Sequence, residues 1–195
     1  MTTRLRNLIG LGLLAAVLAA ACGQEETIRV DLLPPGNARG EVATGMYAWS
    51  DKVVSTDCPA SAIVGTATTP LPQTGSEVRA CADVVQDQGY YAVDYFAFRG
   101  GTTGVDYADY MADGGLWQAG QFRIGGVYSF GTGVTARALI DGQYLAPSGT
   151  EIPRSFEGVT LVQLFVTDGT GAERYLCELR TEFSGRREPG CGETD

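Results

Sequence analysis

From about residue 42 onward, no long stretch of the chain places apolar residues at helical spacing. Several segments alternate between apolar and polar residues instead. This alternation is typical of antiparallel strands that bury one face and expose the other. It is clearest in two segments. In the first, one face has Phe122, Ile124, Tyr128 and Phe130, and the other has Gln121, Arg123 and Ser129. In the second, one face has Tyr175, Cys177, Leu179 and Phe183, and the other has Arg174, Glu178, Arg180 and Glu182. The pattern predicts an all-β fold.

Short turn signals rich in Gly and Asp separate these segments. They predict an antiparallel meander that closes as a barrel or folds into a β-sandwich, because both arrangements limit exposed strand edges. Residues 156–168 are apolar on both faces. This segment is therefore either a central strand covered on both sides or a strand that passes beneath the N-terminal segment. Further strands are predicted at 45–56, 61–68, 76–86 and 89–99.

The N-terminus has the layout of a secretory signal peptide, predicted to span residues 1–21. Arg4 and Arg6 precede an apolar run that ends in three alanines. The run is about 14 residues long, whereas a membrane-spanning helix needs about 20. We therefore expect cleavage rather than a retained transmembrane helix.

Cys22 follows the alanines directly, and "LAAAC" resembles a bacterial lipoprotein signal, although Ala19 stands where that signal usually has Leu. The resemblance implies that Cys22 becomes the N-terminus and carries acyl chains such as palmitate. Gly23, by the same resemblance, implies export to the outer membrane. Residues 22–40 would then form a lipidated tether, and 41–195 the folded domain. Simple cleavage without lipidation is the alternative.

The charge of the mature chain narrows the choice of partners. Without the signal peptide, 12 basic and 23 acidic residues remain, a net charge of −11. Such a chain will not bind nucleic acid or an anionic lipid surface through bulk charge. An acidic inhibitor or assembly factor for a basic protein is compatible with it.

The sequence contains no histidine. This excludes Ser-His-Asp and Cys-His catalysis as well as histidine metal sites. No Gly-rich phosphate loop precedes a helix, so a nucleotide site is not supported. We therefore predict no cofactor and no metal. A hydrolase that uses paired carboxylates is still open, but no spacing selects a pair of acids.

Four cysteines remain after Cys22, and an oxidising compartment favours two disulfides. We expect Cys177 to pair with Cys191, which would attach the C-terminal tail to the domain. Cys58 would then pair with Cys81. Three connectivities are open from the sequence.

The candidate binding positions are three aromatic residues and one acid: Tyr47, Trp49, Tyr95 and Asp94. On a strand, Asp94 shares a face with Tyr90 and Ala92, so it could be a ligand-facing acid with a raised pKa. The alternative pairs Asp94 with an arginine, Arg123 or Arg137, or exposes it to solvent above a core of the intervening residues. Tyr47 and Trp49 could equally be ordinary core residues.

The segment Gly45-x-Tyr47-x-Trp49 resembles the Gly-x-Trp strand that opens lipocalin-type barrels, with Trp49 displaced by two positions. The stretch from Val93 to Phe98 loosely resembles that family's Thr-Asp-Tyr motif. Arg180 could cover the Trp as the family's arginine does, although the alternation points it outward. The resemblance implies an eight-stranded cup with an apolar interior.

These features predict a lipid-anchored cell-envelope protein that binds rather than catalyses. Its target would be a small apolar ligand, a glycan or another envelope protein. The alternatives are a carboxylate-based hydrolase and the acidic inhibitor or assembly factor.

Overall fold

The computed structural model describes residues 27–97, 110–145 and 154–191. The predicted signal peptide and Cys22 lie outside the described residues. No helix within these ranges is long and apolar enough to cross a membrane. A 3-10 helix, Val30–Leu32, precedes the strands, which are β1 Gly45–Thr56, β2 Ser61–Val64, β3 Ala67–Pro70, β4 Glu77–Asp87, β5 Tyr90–Ala97, β6 Tyr110–Leu116, β7 Gln121–Ser129, β8 Val134–Tyr144, β9 Ser155–Thr167 and β10 Glu173–Arg187.

Eight of these strands form a closed antiparallel barrel in the order β1-β4-β5-β6-β7-β8-β9-β10, and β10 pairs back with β1. The predicted meander is confirmed, and of the two predicted architectures it is the barrel that forms. Closure leaves none of the eight strands with an unpaired edge. The layout is compatible with that of lipocalin-type barrels.

The predicted strand at 61–68 is instead a separate hairpin, β2–β3, which turns at Gly65. Gly65 has a φ of 60°, in the left-handed region that suits a tight turn. The hairpin lies over the end of the barrel where β1 finishes. Its Thr69 and Val64 side chains pack against the β7–β8 turn, at Gly131 and Gly133 respectively. The hairpin therefore acts as a lid on this end.

The alternation in β7 and β10 is confirmed with one exception. Cys177, Leu179 and Phe183 are buried inside the barrel, but Tyr175 is not on their face. A β-bulge between Tyr175 and Cys177 shifts the register. The Tyr175 ring packs edge-on against Phe165 on the outer face of β9, with 5.9 Å between centroids.

The predicted disulfide pairing is wrong, although two disulfides do form. Cys58 bonds to Cys177 and Cys81 bonds to Cys191. Closure of the barrel explains the difference, because it brings the two ends of the chain together. Cys58 follows β1 at the end where β10 begins, and Cys191 follows β10 at the end where β1 begins.

Residues 28–38, here called the strap, cross the outside of the barrel. The Ile28 N–H donates to Gln163 Oε1 at 2.8 Å, and the Ala38 N–H donates to the Leu116 carbonyl at 2.9 Å. Between them, the side chains of Val30 and Leu33 occupy the space above Gly125 on β7. Much of the predicted tether is thus bound to the barrel wall. The outer face of β9 meets this segment at Gln163, whereas Phe165 on the same face is covered by Tyr175 and Arg137.

Candidate functional site

Tyr47 and Trp49, two predicted binding residues, lie side by side in the barrel interior and are almost fully buried. The Tyr47 hydroxyl donates to the Ala43 carbonyl at 3.0 Å. The Trp49 ring stacks on Phe183, with 4.5 Å between centroids. Arg180 does not cover Trp49, because it lies on the exposed outer face of β10. A different arginine, Arg187, covers a ring of β1: its guanidinium carbon lies 5.8 Å from the centre of the Tyr47 ring.

The two residues belong to an aromatic cluster that fills one half of the barrel. Neighbouring ring centroids are 4.5 to 6.3 Å apart, the usual spacing for packed aromatic pairs. This half of the interior is a packed core rather than an open cup. The members of the cluster are Tyr47, Trp49, Tyr91, Phe122, Tyr144, Phe156 and Phe183.

Asp51 is an acid that the sequence argument missed, and it faces the barrel interior. It accepts hydrogen bonds from Trp49 Nε1–H at 2.7 Å and from the Thr181 hydroxyl at 3.0 Å. Burial raises the pKa of Asp51 to about 6, and the two hydrogen bonds offset this only in part. The alternation of Tyr47, Trp49 and Asp51 was the signal that could have found it.

Asp51 also lines a small interior cavity together with Thr160, Thr181 and Tyr128. The cavity volume is about 30 Å³, room for roughly two water molecules. A carboxyl with a raised pKa in a small cavity can hold a proton or order water. It cannot accept a drug-sized ligand or a sugar ring without movement of the wall.

Asp94 does not join Tyr47 and Trp49. Asp94 is exposed on the outer face of β5, while Tyr91 and Val93 on the same strand are buried inside. The two arginines considered as its partners bind elsewhere, since Arg123 pairs with Asp141 and Arg137 with Glu173. The side chain of Tyr95 lies outside the described residues.

A broad depression lies on the outer wall, with a volume of about 830 Å³. One side of this outer groove is the strap, through Leu33 and Pro34, and one end is Trp117 in the β6–β7 turn. The strap also fixes that turn, because the Gln118 N–H donates to Asn37 Oδ1 at 3.0 Å. Outward polar side chains from three strands complete the groove: Gln121 and Arg123 from β7, Asp141 and Gln143 from β8, and Glu157 from β9.

Three polar side chains of the groove, those of Arg123, Asp141 and Gln143, are held by hydrogen bonds. Arg123 and Asp141 form a two-point ion pair, with N···O distances of 2.5 and 2.9 Å. The Asp141 carboxylate keeps the pKa of Arg123 above its usual value. Gln143 donates to the Ala119 carbonyl at 2.7 Å. The groove thus presents oriented donors and acceptors beside the Trp117 ring.

Two glycines in the wall, Gly142 and Gly158, give the groove its depth. A Cβ at Gly142 would come within 2.1 Å of the Phe122 ring, and one at Gly158 within 2.5 Å of the Phe183 ring. The backbone is therefore pressed against the aromatic cluster here. The outer surface recedes between the flanking strands.

Among the described residues, one group of potential metal ligands comes together, at Asp57, Cys58 and Cys177. Both sulfurs are in the same disulfide, so neither can act as a thiolate ligand. The sequence matches no protein-family model and no curated protein sequence. The fold and the geometry of the outer groove therefore carry the functional argument.

Sequence reasoning did not find the outer groove. Its polar residues sit at ordinary outward positions of three strands, and its strap wall comes from a segment interpreted as a tether. Trp117 next to a turn was the available signal. Nothing local in the sequence indicates that Trp117, Asp141 and Glu157 come together.

Proposed function

We propose that the chain is a lipid-anchored cell-envelope protein that binds a glycan in the outer groove. The observation that carries this proposal is the contrast between the two sides of the wall. The interior half around Tyr47 and Trp49 is packed with rings, whereas the groove outside measures about 830 Å³. That volume lies in the range of ligand sites, which is roughly 300–1,000 Å³.

The residue types in the groove suit a sugar. A sugar ring has an apolar face and an edge of hydroxyl groups that both donate and accept hydrogen bonds. Trp117 offers a ring surface for the first. Gln121, Gln143 and the Arg123–Asp141 pair offer donors and acceptors for the second. Glu157 adds a carboxylate that accepts from hydroxyls.

The proposed anchor would hold the groove close to the membrane. From Cys22 to Ile28 the chain advances six residues, a reach of at most about 20 Å at 3.3–3.6 Å per residue. The strap begins at Ile28 and forms one side of the groove. A protein anchored in this way would bind glycans at the envelope surface rather than far from it.

The carboxylate-based hydrolase is the second candidate, because Asp141 and Glu157 both line the groove. Asp141 is already committed to Arg123, which leaves a single carboxylate for acid–base chemistry. Two carboxyl groups with separate roles are the usual requirement. The geometry therefore supports binding better than hydrolysis.

The experiment is a glycan array followed by calorimetry on the detergent-solubilised full chain. We expect Trp117→Ala to weaken binding at least about tenfold. Tyr90→Ala is the matched control, since Tyr90 is 41% exposed on β5 outside the groove. Absence of glycan binding, or equal losses in both variants, would refute the proposal. Hydrolysis of a bound glycan by the wild type, abolished in Glu157→Gln, would favour the hydrolase.

The anchor is tested separately by metabolic labelling with a palmitate analogue. Label should enter the wild-type chain and be absent from Cys22→Ser, which should also leave the membrane fraction. Equal labelling of both chains would contradict lipidation at Cys22 without bearing on the glycan groove.

A further inference from the structure

The outer groove continues into a second depression along β8 and β9. This distal depression has a volume of about 230 Å³ and shares Asp141 and Val159 with the groove. Its floor is apolar, formed by Leu139, Val159 and Leu161, and Arg180 of β10 stands at its far side. The two depressions therefore form one continuous trough. The chemical character changes along it, from polar at the Trp117 end to apolar and cationic at the Arg180 end.

Arg180 differs from the other arginine of the trough. Arg123 is neutralised by Asp141, whereas Arg180 is exposed and forms no ion pair with any of the described residues. It is opposite Leu161 in the β9–β10 register. The guanidinium group thus provides a planar donor set that no described ion pair occupies, at one end of the trough.

The separation of the two ends sets the length of the ligand. Glu157 marks the Trp117 end and Leu161, next to Arg180, marks the other. Four residues on one strand span about 14 Å at roughly 3.4 Å per residue. A ligand that touches both ends is longer than one sugar ring.

We infer that the ligand of the trough is an acidic oligosaccharide whose anionic group binds Arg180, and that Arg180 determines specificity for acidic over neutral glycans. This inference rests on the proposed function. A carboxylate or a phosphate presents paired oxygens that a guanidinium binds with two parallel hydrogen bonds. The apolar floor accommodates the ring face or an acyl substituent beside that group.

The net negative charge of the protein does not oppose this contact strongly. At physiological ionic strength the Debye length is about 8 Å, so most exposed acids of the barrel are screened from the ligand. Asp141 is the acid that lines the distal depression, and Arg123 compensates it. Glu178 and Glu182 flank Arg180 on the outer face of β10 but do not line the depression. The local contact with Arg180 therefore governs the preference.

The test uses three matched oligosaccharides: one with a uronic acid, the same chain with the carboxyl reduced to an alcohol, and a phosphorylated counterpart. Calorimetry with the full chain should give about tenfold tighter binding of the anionic ligands than of the neutral one. The ratio of the two anionic affinities identifies which anionic group the site prefers. Arg180→Gln should bring the acidic-to-neutral ratio close to one, and Arg180→Lys should leave part of it.

Arg174→Gln is the matched control, because Arg174 is an exposed arginine on the same strand outside the trough. It should leave the ratio unchanged. Equal binding of the acidic and reduced chains by the wild type, or an unchanged ratio in Arg180→Gln, would overturn the inference and leave glycan binding in the groove intact. Absence of binding by all three would overturn the proposed function as well.

Discussion

Phe156 on β9 lies directly over Gly185 on β10, so closely that a Cβ at position 185 would come within 1.9 Å of a ring carbon. Two further rings have the same relationship to a glycine directly across the ladder. Phe122 faces Gly142 and Phe183 faces Gly158. These pairs let large rings fill a narrow barrel, since the ring occupies the volume that the glycine leaves empty.

Gly185→Ala should therefore destabilise the protein by about 1–3 kcal/mol, because the added methyl group forces Phe156 away from its packed position. Urea denaturation at neutral pH measures the change. Gly169→Ala is the control, since a Cβ there would meet nothing within 4 Å. Equal stabilities of the two variants would contradict the tight packing of Phe156 on Gly185.

Asp51 should make stability depend on pH. Its pKa is about 6 in the folded protein, against 3.8 for an aspartate in its ordinary, solvated state. The folded state therefore binds this proton more tightly than the unfolded chain does. The contribution of Asp51 to stability falls as the pH rises from about 4 through 6, by about 3 kcal/mol in total.

Asp51→Asn cannot ionise and should lack this dependence. Denaturation of both proteins between pH 4 and pH 8 gives the difference between their free energies of unfolding. The effects of the other carboxyl groups are common to both proteins and cancel in this difference. The wild type should lose stability relative to Asp51→Asn as the pH rises. Parallel pH profiles would show that Asp51 is not buried as a carboxyl with a raised pKa.

The strap should depend on the bare backbone at Gly125. A Cβ at this position would lie 2.9 Å from side-chain atoms of both Val30 and Leu33. Gly125→Leu should displace the strap and speed hydrogen exchange at the Ile28 and Ala38 amides by about tenfold or more, the equivalent of 1.4 kcal/mol. Val127→Leu is the control, on the same outer face and 52% exposed. Unchanged protection in Gly125→Leu would contradict the strap contact.

The disulfides should be visible in non-reducing peptide maps as Cys58–Cys177 and Cys81–Cys191. Replacing both members of the first pair by alanine should cost about 2–5 kcal/mol of stability. A map that links Cys177 to Cys191 would contradict the structure. Thiol counting under denaturing conditions should find no free thiol among these four cysteines.

Local pattern was sufficient to predict much of the barrel. The limits of β1 and the inward faces of β7 follow from alternation between neighbouring residues, and the structure confirms them. The bulge at Tyr175 was not predictable in this way, because it depends on pairing with β9. The disulfide pairing was wrong for a related reason, since it depends on which strand closes the barrel.

The candidate site shows the same division. Asp51 lies two residues from Trp49 and could have been assigned to the interior by extending the alternation. The outer groove could not be predicted in this way, because its walls come from the strap, the β6–β7 turn and the outer faces of three strands. Trp117 and Glu157 are forty residues apart and share no pattern. Only the closed sheet brings them to one surface.

The two disulfides also set the order of events when the chain is made. A polypeptide emerges N-terminus first, so Cys58 and Cys81 are both exposed long before their partners, which follow 119 and 110 residues later. Neither native bridge can form while β10 is still unsynthesised, and β1 waits without its closing neighbour for the same interval. Oxidation and barrel closure therefore wait until β10 and Cys191 have emerged, and a bridge formed early between Cys58 and Cys81 has to be reshuffled before the native pairs can form.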